Sequence, residues 1–290
     1  MNIHDTRGCN ACTYESPSVD EVKRRIDEAV DVWGADFLRL NMESYGSRNL
    51  VHGEPITADS DYLDDIVEII DHIGSKEDVH VLLSLWHDPS FNSMGWPTPA
   101  TAEIWEILTV VLQDRPHVMF GLVNEPQDNF DGSLDAEVWL AMNDTVERIR
   151  SVEAGLGVPN RIIAVQGTRA WARWLDYYVE NPITAGDGTN IVYETHVYNP
   201  AEDFEALFET PSRYLPVLIG EFGPLDMSLD DTELLMERAE ALEIPFLAWT
   251  FHHRCPPNLL VDHTSGGCGV DMPLEPTPWG LQLMERLAQE

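Results

Sequence analysis

Two glutamates follow short apolar runs. Glu125 lies in Leu122-Val123-Asn124-Glu125-Pro126, and Glu221 lies in Ile219-Gly220-Glu221-Phe222-Gly223. Alone, a glutamate in such a place is ordinarily a helix cap or a surface charge. A pair, each at a strand end, has the composition that cleavage of a glycosidic bond requires. One carboxyl must stay protonated to donate to the leaving oxygen, and the other must stay ionised to attack the anomeric carbon. Arg39, in Leu38-Arg39-Leu40-Asn41, brings a fixed positive charge that favours an ionised Glu221. Tyr198 can donate a hydrogen bond to the same carboxylate. These surroundings give Glu125 the acid/base role and Glu221 the nucleophilic one.

The elements that must hold these residues alternate in type. Apolar, β-branched stretches read as strands at 36–40, 79–85, 118–122, 161–165, 191–194, 217–220 and 246–250, with a short first strand at 1–4. Helical patterns lie between them. One starts at a Ser18–Glu21 capping box and continues through Val22, Ile26 and Val30. The others span 62–73, 102–112, 134–152, 170–179, 204–208, 232–242 and 281–287. Eight such units, with no linker, no internal repeat and no Gly-rich phosphate loop, predict an α/β fold. The expectation is a single catalytic (β/α)8 TIM-type barrel over residues 1–290, with a short or truncated first strand. Its active site would gather at the C-terminal ends of the strands. Those ends read Leu85-Trp86-His87-Asp88, Tyr193-Glu194-Thr195-His196-Val197-Tyr198 and Ala248-Trp249-Thr250, besides the three quoted above.

Taken together, Asn124-Glu125-Pro126, Gly220-Glu221-Phe222-Gly223, Arg39, His87, His196 with Tyr198, and Trp249 resemble glycoside hydrolase family five, in the clan of barrel enzymes with their carboxylates on strands four and seven. The resemblance covers nearly the whole chain. It implies a retaining β-glycosidase with Glu125 as acid/base and Glu221 as nucleophile. Asn124 would bond the sugar 2-hydroxyl, and Arg39 and Tyr198 would hold Glu221. His87 and His196 would meet the sugar or Glu125, and Trp249 would lie under the sugar at the cleavage point. The family's first strand usually has several residues before the segment that Met1–Asp5 resembles, so the seam of the barrel is expected to be weak there. The family includes endo-β-1,4-glucanases and β-mannanases. The shared residues do not separate them. A barrel that binds carbohydrate without cleaving it, and a metal-dependent barrel hydrolase, are the readings from other classes. The intact glutamate pair opposes the first, and the carboxylate pattern around His87 and His196 opposes the second. No cofactor is implied for catalysis.

Further aromatics stand in the loops. Trp96, in Gly95-Trp96-Pro97, and Trp171 and Trp174 after strand five can either stack on sugar rings or pack internally. Four cysteines occupy the loops after strands one and eight, Cys9 and Cys12 in the first and Cys255 and Cys268 in the last. Barrel closure would make those loops neighbours. The short Cys-x-x-Cys spacing favours one structural zinc held by four thiolates, with two disulfides and free thiols as the alternatives.

Seventeen basic and 51 acidic side chains give a formal net charge of −34, spread along the chain. Such a charge repels nucleic acid and anionic membranes. It also repels itself, which points to adaptation to high salt, where screening relieves that repulsion. No apolar run is long enough to cross a bilayer. Met1-Asn2-Ile3-His4-Asp5 does not read as a signal peptide. The two expectations are a cytoplasmic protein of a salt-adapted organism and a secreted protein whose leader is not part of this chain. The partner in either case is a β-glucan or related polysaccharide.

Overall fold

The computed structural model describes residues 1–4, 18–46, 54–86, 89, 94–263 and 270–289. His87, Cys9, Cys12 and Cys268 lie outside the described residues. Eight parallel strands follow one another in sequence order around a nearly closed (β/α)8 barrel. They are β1 Asn2–His4, β2 Phe37–Met42, β3 His80–Leu85, β4 Val118–Gly121, β5 Ile163–Gln166, β6 Ile191–Val197, β7 Val217–Phe222 and β8 Phe246–Ala248. The outer helices are α1 Val19–Asp27, α2 Asp61–Gly74, α3 Pro99–Val111, α4 Asp135–Leu156, α5 Asp176–Glu180, α6 Thr210–Ser212, α7 Leu229–Ala241 and α8 Pro278–Leu287.

Local chemistry explains most boundaries. Ser18 accepts a hydrogen bond from the Glu21 N–H, as an N-cap should, whereas the Glu21 carboxylate turns to Arg24 and Arg25. In α2, Tyr62, Leu63, Ile66, Ile69, Ile70 and Ile73 face the strands, while Asp61, Asp64 and Glu68 face out. Each fully buried isoleucine there contributes about 1.5–3 kcal/mol relative to exposure. Helix α4 stops at Gly157, whose φ of 71° is the left-handed cap that glycine favours. The helix expected at 170–179 shrinks to α5, because the Ala170 N–H bonds Asn129 O and the Trp171 N–H bonds Pro126 O. Those bonds tie the segment to the loop after β4, and Ala170, Trp171 and Ala172 all take positive φ.

The period of two along each strand builds the barrel interior in layers. Phe37, Leu82, Met119, Ala164, Val192, Leu218 and Leu247 form an apolar plug inside the strands, separate from the larger core between strands and helices. Two residues further along their strands stand Arg39, Ser84, Gln166, Glu194 and Gly220. Arg39, Ser84, Gln166 and Glu194 are all fully buried. The seam between β8 and β1 is bridged by side chains, with the Thr250 hydroxyl donating to Asn2 O and the Asn2 amide reaching back. The Asn2 amide donates to Gly220 O and Leu247 O, at 2.9 and 3.0 Å, and Asn2 O accepts the Phe251 N–H. The short first strand therefore closes the barrel through a side-chain amide and a hydroxyl.

Candidate active site

Arg39 is the centre of the polar layer. Its guanidinium donates to Glu221 Oε1 at 2.6 Å, Asn124 Oδ1 at 3.0 Å, Asn2 Oδ1 at 3.1 Å and Ser84 Oγ at 3.1 Å. Its Nε lies 3.1 Å from Glu194 Oε1. One buried cation thus faces two buried carboxylates. A buried charge is tolerated only with partners of this kind.

Glu221 is held at both oxygens, by Arg39 at Oε1 and by the Tyr198 hydroxyl at Oε2, 2.8 Å away. Burial pushes its carboxyl above the usual carboxylate range. His196 and Arg39 pull it back, Glu125 pushes it up, and the Tyr198 hydrogen bond pulls it down. Burial, reinforced by the charges of Glu221 and Glu125, raises the Tyr198 phenol well above its ordinary value, so it remains a donor. Glu125 Oε1 sits 2.9 Å from His196 Nδ1, and its side chain is 17% exposed against 4% for Glu221. Glu125 is therefore the more accessible of the two carboxyls. A carboxylate oxygen of Glu125, one of Glu221 and a ring nitrogen of His196 all lie within 4.8 Å of one another.

A bulge brings these groups into phase. β6 and β7 pair Thr195 with Ile219 and then His196 with Glu221, skipping Gly220. A Cβ on Gly220 would lie 1.9 Å from Glu194 Oε1, so only glycine leaves space for that carboxylate. A second glycine braces the Glu125 side. Gly95 has φ +81°, and a Cβ there would lie 2.1 Å from the Glu125 carbonyl oxygen. The Gln127 N–H bonds Met94 O beside it.

The structure brings Arg39, Asn124, Glu125, His196, Tyr198 and Glu221 together. Asn124 turns its oxygen to Arg39, which leaves its N–H groups directed elsewhere. Trp249 stacks on Trp86 with ring centres 5.5 Å apart, and the His4 ring meets its edge at 4.8 Å. The Trp249 backbone N–H bonds Phe222 O, next to Glu221. Trp96 is not brought in. It is 3% exposed and belongs to the core between strands and helices, beside Met94, Pro97 and Ala102 at the α3–α4 face. The positive φ at Gly95 turns this segment back under the Glu125 loop, which sends the indole into the core.

The zinc expectation is corrected at Cys255. This residue is disulfide-bonded, so its sulfur is not a thiolate and a four-thiolate zinc centre does not form. The disulfide alternative holds for Cys255, whose Sγ also lies 3.8 Å from His4 Nε2. Among the described residues, the donor set able to surround a cation is Glu125, His196 and Glu221. It is poorly suited to a metal. His196 engages Glu194 with one nitrogen and Glu125 with the other, and its charge partners give it a strong preference for a proton.

Sequence reasoning missed Glu194, Gln166, Ser84 and Asn2. The signal was available for Glu194, since it lies two residues before His196 on one strand and must share its face. For Asn2 no signal existed, because its role depends on closure across a seam.

Comparison with known proteins agrees with this arrangement. The family model described as cellulase, glycosyl hydrolase family 5, matches residues 3–254. Endoglucanase A of Butyrivibrio fibrisolvens is 26% identical over 205 residues, covering 69% of this chain and 43% of that protein. The chain thus spans less than half the length of that curated relative. The catalytic domain of Thermobifida fusca endoglucanase Cel5A, solved with cellotetraose, superposes with a TM-score of 0.69 at 18% identity, covering 99% of this chain and 90% of that one. A mannanase catalytic domain from Streptomyces sp. SirexAA-E does so with a TM-score of 0.68 at 20% identity, covering 90% and 79%. At such identities the two structures speak for the fold, while the sequence match over most of the chain settles the family: the protein belongs to glycosyl hydrolase family 5.

Proposed function

We propose that the chain is one catalytic barrel that cleaves β-1,4-glucan internally, by double displacement with retention. The observation that carries this reading is the closeness of the two carboxylates, with oxygens within 4.8 Å of each other and His196. Retaining enzymes hold their carboxyl groups about 5–5.5 Å apart, whereas inverting ones need about 6.5–9.5 Å to fit a water. Glu125 protonates the glycosidic oxygen while Glu221 Oε2 or Oε1 attacks the anomeric carbon, giving a glycosyl-enzyme. Glu125, now ionised, then takes a proton from the water that hydrolyses it. Arg39 and Tyr198 keep Glu221 oriented and anionic before attack. Asn124 bonds the sugar 2-hydroxyl, and the stacked Trp249 and Trp86 supply the apolar surface beneath the ring. Side chains and water supply every proton and electron pair, so no cofactor is needed.

The glucan assignment draws on the endoglucanase relative and on the cellotetraose bound by the Thermobifida fusca fold neighbour. β-Mannan is the second substrate to test, because a mannanase shares the fold. On carboxymethyl cellulose, viscosity should fall faster than reducing ends appear. Faster turnover of mannan would move the assignment to a mannanase. Binding without release of sugar would make the chain a binding barrel.

The same reading extends to solvent. Acidic residues occupy outer helix faces, including Asp61, Asp64 and Glu68 on α2 and Asp230 and Glu237 on α7. With a net charge of −34, self-repulsion should weaken as salt screens it. The melting temperature is expected to rise between low-salt buffer and molar potassium chloride. A flat or falling curve in a thermal melt series would remove salt adaptation from the account. No helix among the described residues is long and apolar enough to cross a membrane.

A further inference from the structure

Glu194 takes part in no step of the mechanism above, yet it is fully buried beneath both glutamates that do. Its Oε1 lies 3.1 Å from His196 Nε2 and 3.1 Å from Arg39 Nε, and its Oε2 accepts the Gln166 amide at 2.6 Å. Each of those partners reaches the cleavage machinery. His196 meets Glu125 through its other nitrogen, Arg39 meets Glu221, and Gln166 accepts the Val123 N–H two residues before Glu125. The chain also leaves Gly220 without a side chain where this carboxylate lies.

We propose that Glu194 is a positioning residue whose buried negative charge keeps the His196 ring doubly protonated and, by the same charge, sets the pH range over which Glu125 can act as an acid. The inference rests on the acid/base and nucleophile roles given above to Glu125 and Glu221. The charged groups facing this cluster are three carboxylates, Glu125, Glu194 and Glu221, and two cations, Arg39 and protonated His196, with the Tyr198 phenol beside Glu221. With Glu194 ionised and His196 neutral, the buried layer would hold an excess of negative charge, a costly state in a low dielectric. Burial disfavours the imidazolium, but the carboxylates around it carry its pKa up to about 9. Burial would raise Glu194 as well, and Arg39, His196 and Gln166 together hold it below the usual carboxylate value. A cationic His196 donates from Nε2 to Glu194 and from Nδ1 to Glu125. As the enzyme cycles Glu125 between its acid and base forms, that donor is fixed in place from behind.

Replacing Glu194 by glutamine removes one buried negative charge and retains the side chain's shape. The proton affinity of every group coupled to it then falls. The alkaline limb of the kcat/KM profile of Glu194→Gln should move to lower pH by at least about one unit. A purely structural loss would lower activity and melting temperature while leaving the limbs where they were. NMR of the assigned His196 ring reads the same quantity without turnover. Both ring nitrogens should carry protons at pH 8 in the unsubstituted protein, and the ring should titrate at least one unit lower in Glu194→Gln. If the variant does not fold, the unsubstituted protein still decides the matter, since a neutral His196 ring at pH 7 overturns the proposal. Unmoved limbs and an unmoved His196 titration in Glu194→Gln overturn it equally. Failure of the unsubstituted protein to cleave any β-glycan would instead remove the reading on which the proposal rests, and the NMR result would stand apart from it.

Discussion

Glu221→Ala is expected to lower kcat/KM on β-glucan by at least about 10⁴-fold, in line with the loss on removing a covalent nucleophile. The variant should still fold. Arg39 loses one carboxylate partner but keeps Glu194 at 3.1 Å, so its charge remains balanced. The space left beside Arg39 and Tyr198 suits a small anion. Azide added to the variant should restore cleavage of an activated substrate, because Glu125 and His196 remain in place opposite it. The product should be a glycosyl azide of the configuration opposite to the substrate's, since the anion attacks directly from the nucleophile's side. Residual turnover within tenfold of the unsubstituted enzyme, or an azide product with unchanged configuration, would place the nucleophile elsewhere.

Glu125→Ala should fail in a different way. Loss of acid assistance should cost about 10²–10⁴-fold on glucan, whose leaving group is a poor one. On aryl glycosides with good leaving groups the first step should stay near its normal rate. The glycosyl-enzyme should then accumulate, because no base remains to activate water. His196 loses its Glu125 contact but keeps Glu194 at 3.1 Å and Glu221 at 3.6 Å, so the ring should stay in place. A burst of aryl alcohol followed by slow turnover would show this. Equal losses on good and poor leaving groups, with no burst, would contradict the assignment, and the pattern expected of Glu221 appearing here would exchange the two roles.

Much of this arrangement was legible in the chain. Alternating strand and helix patterns located β2 to β8 within a few residues, because buried parallel strands are apolar throughout and leave little ambiguity of face. The glutamate pair, Arg39, Asn124, His196 and Tyr198 were legible for a related reason. In a barrel, strand ends converge, so reading those positions alone reads the site. What escaped depends on contacts remote in sequence. Glu194 required following His196 back by one period of the strand. Asn2 bridges a seam between the first and last strands, which no local pattern reports. The direction of Trp96 is not legible in the chain, because an indole beside glycine and proline in a loop reads equally well as a platform and as packing. Its direction follows from the positive φ of Gly95 and the close approach of that turn to Glu125 O. The cysteine spacing suited a metal as well as a cross-link, and only the oxidised state of Cys255 decides between them at that residue.

In the proposed mechanism Glu125 and Glu221 act together across one glycosidic bond with no water between them. The most direct measurement is the anomeric configuration of the first-formed product, followed by proton NMR during hydrolysis of a cello-oligosaccharide before mutarotation proceeds. The β-anomer should appear first, with the α-anomer growing in only as mutarotation proceeds. An α-anomer formed first would require a water between the carboxylates and would contradict both the assigned roles and the spacing on which they rest.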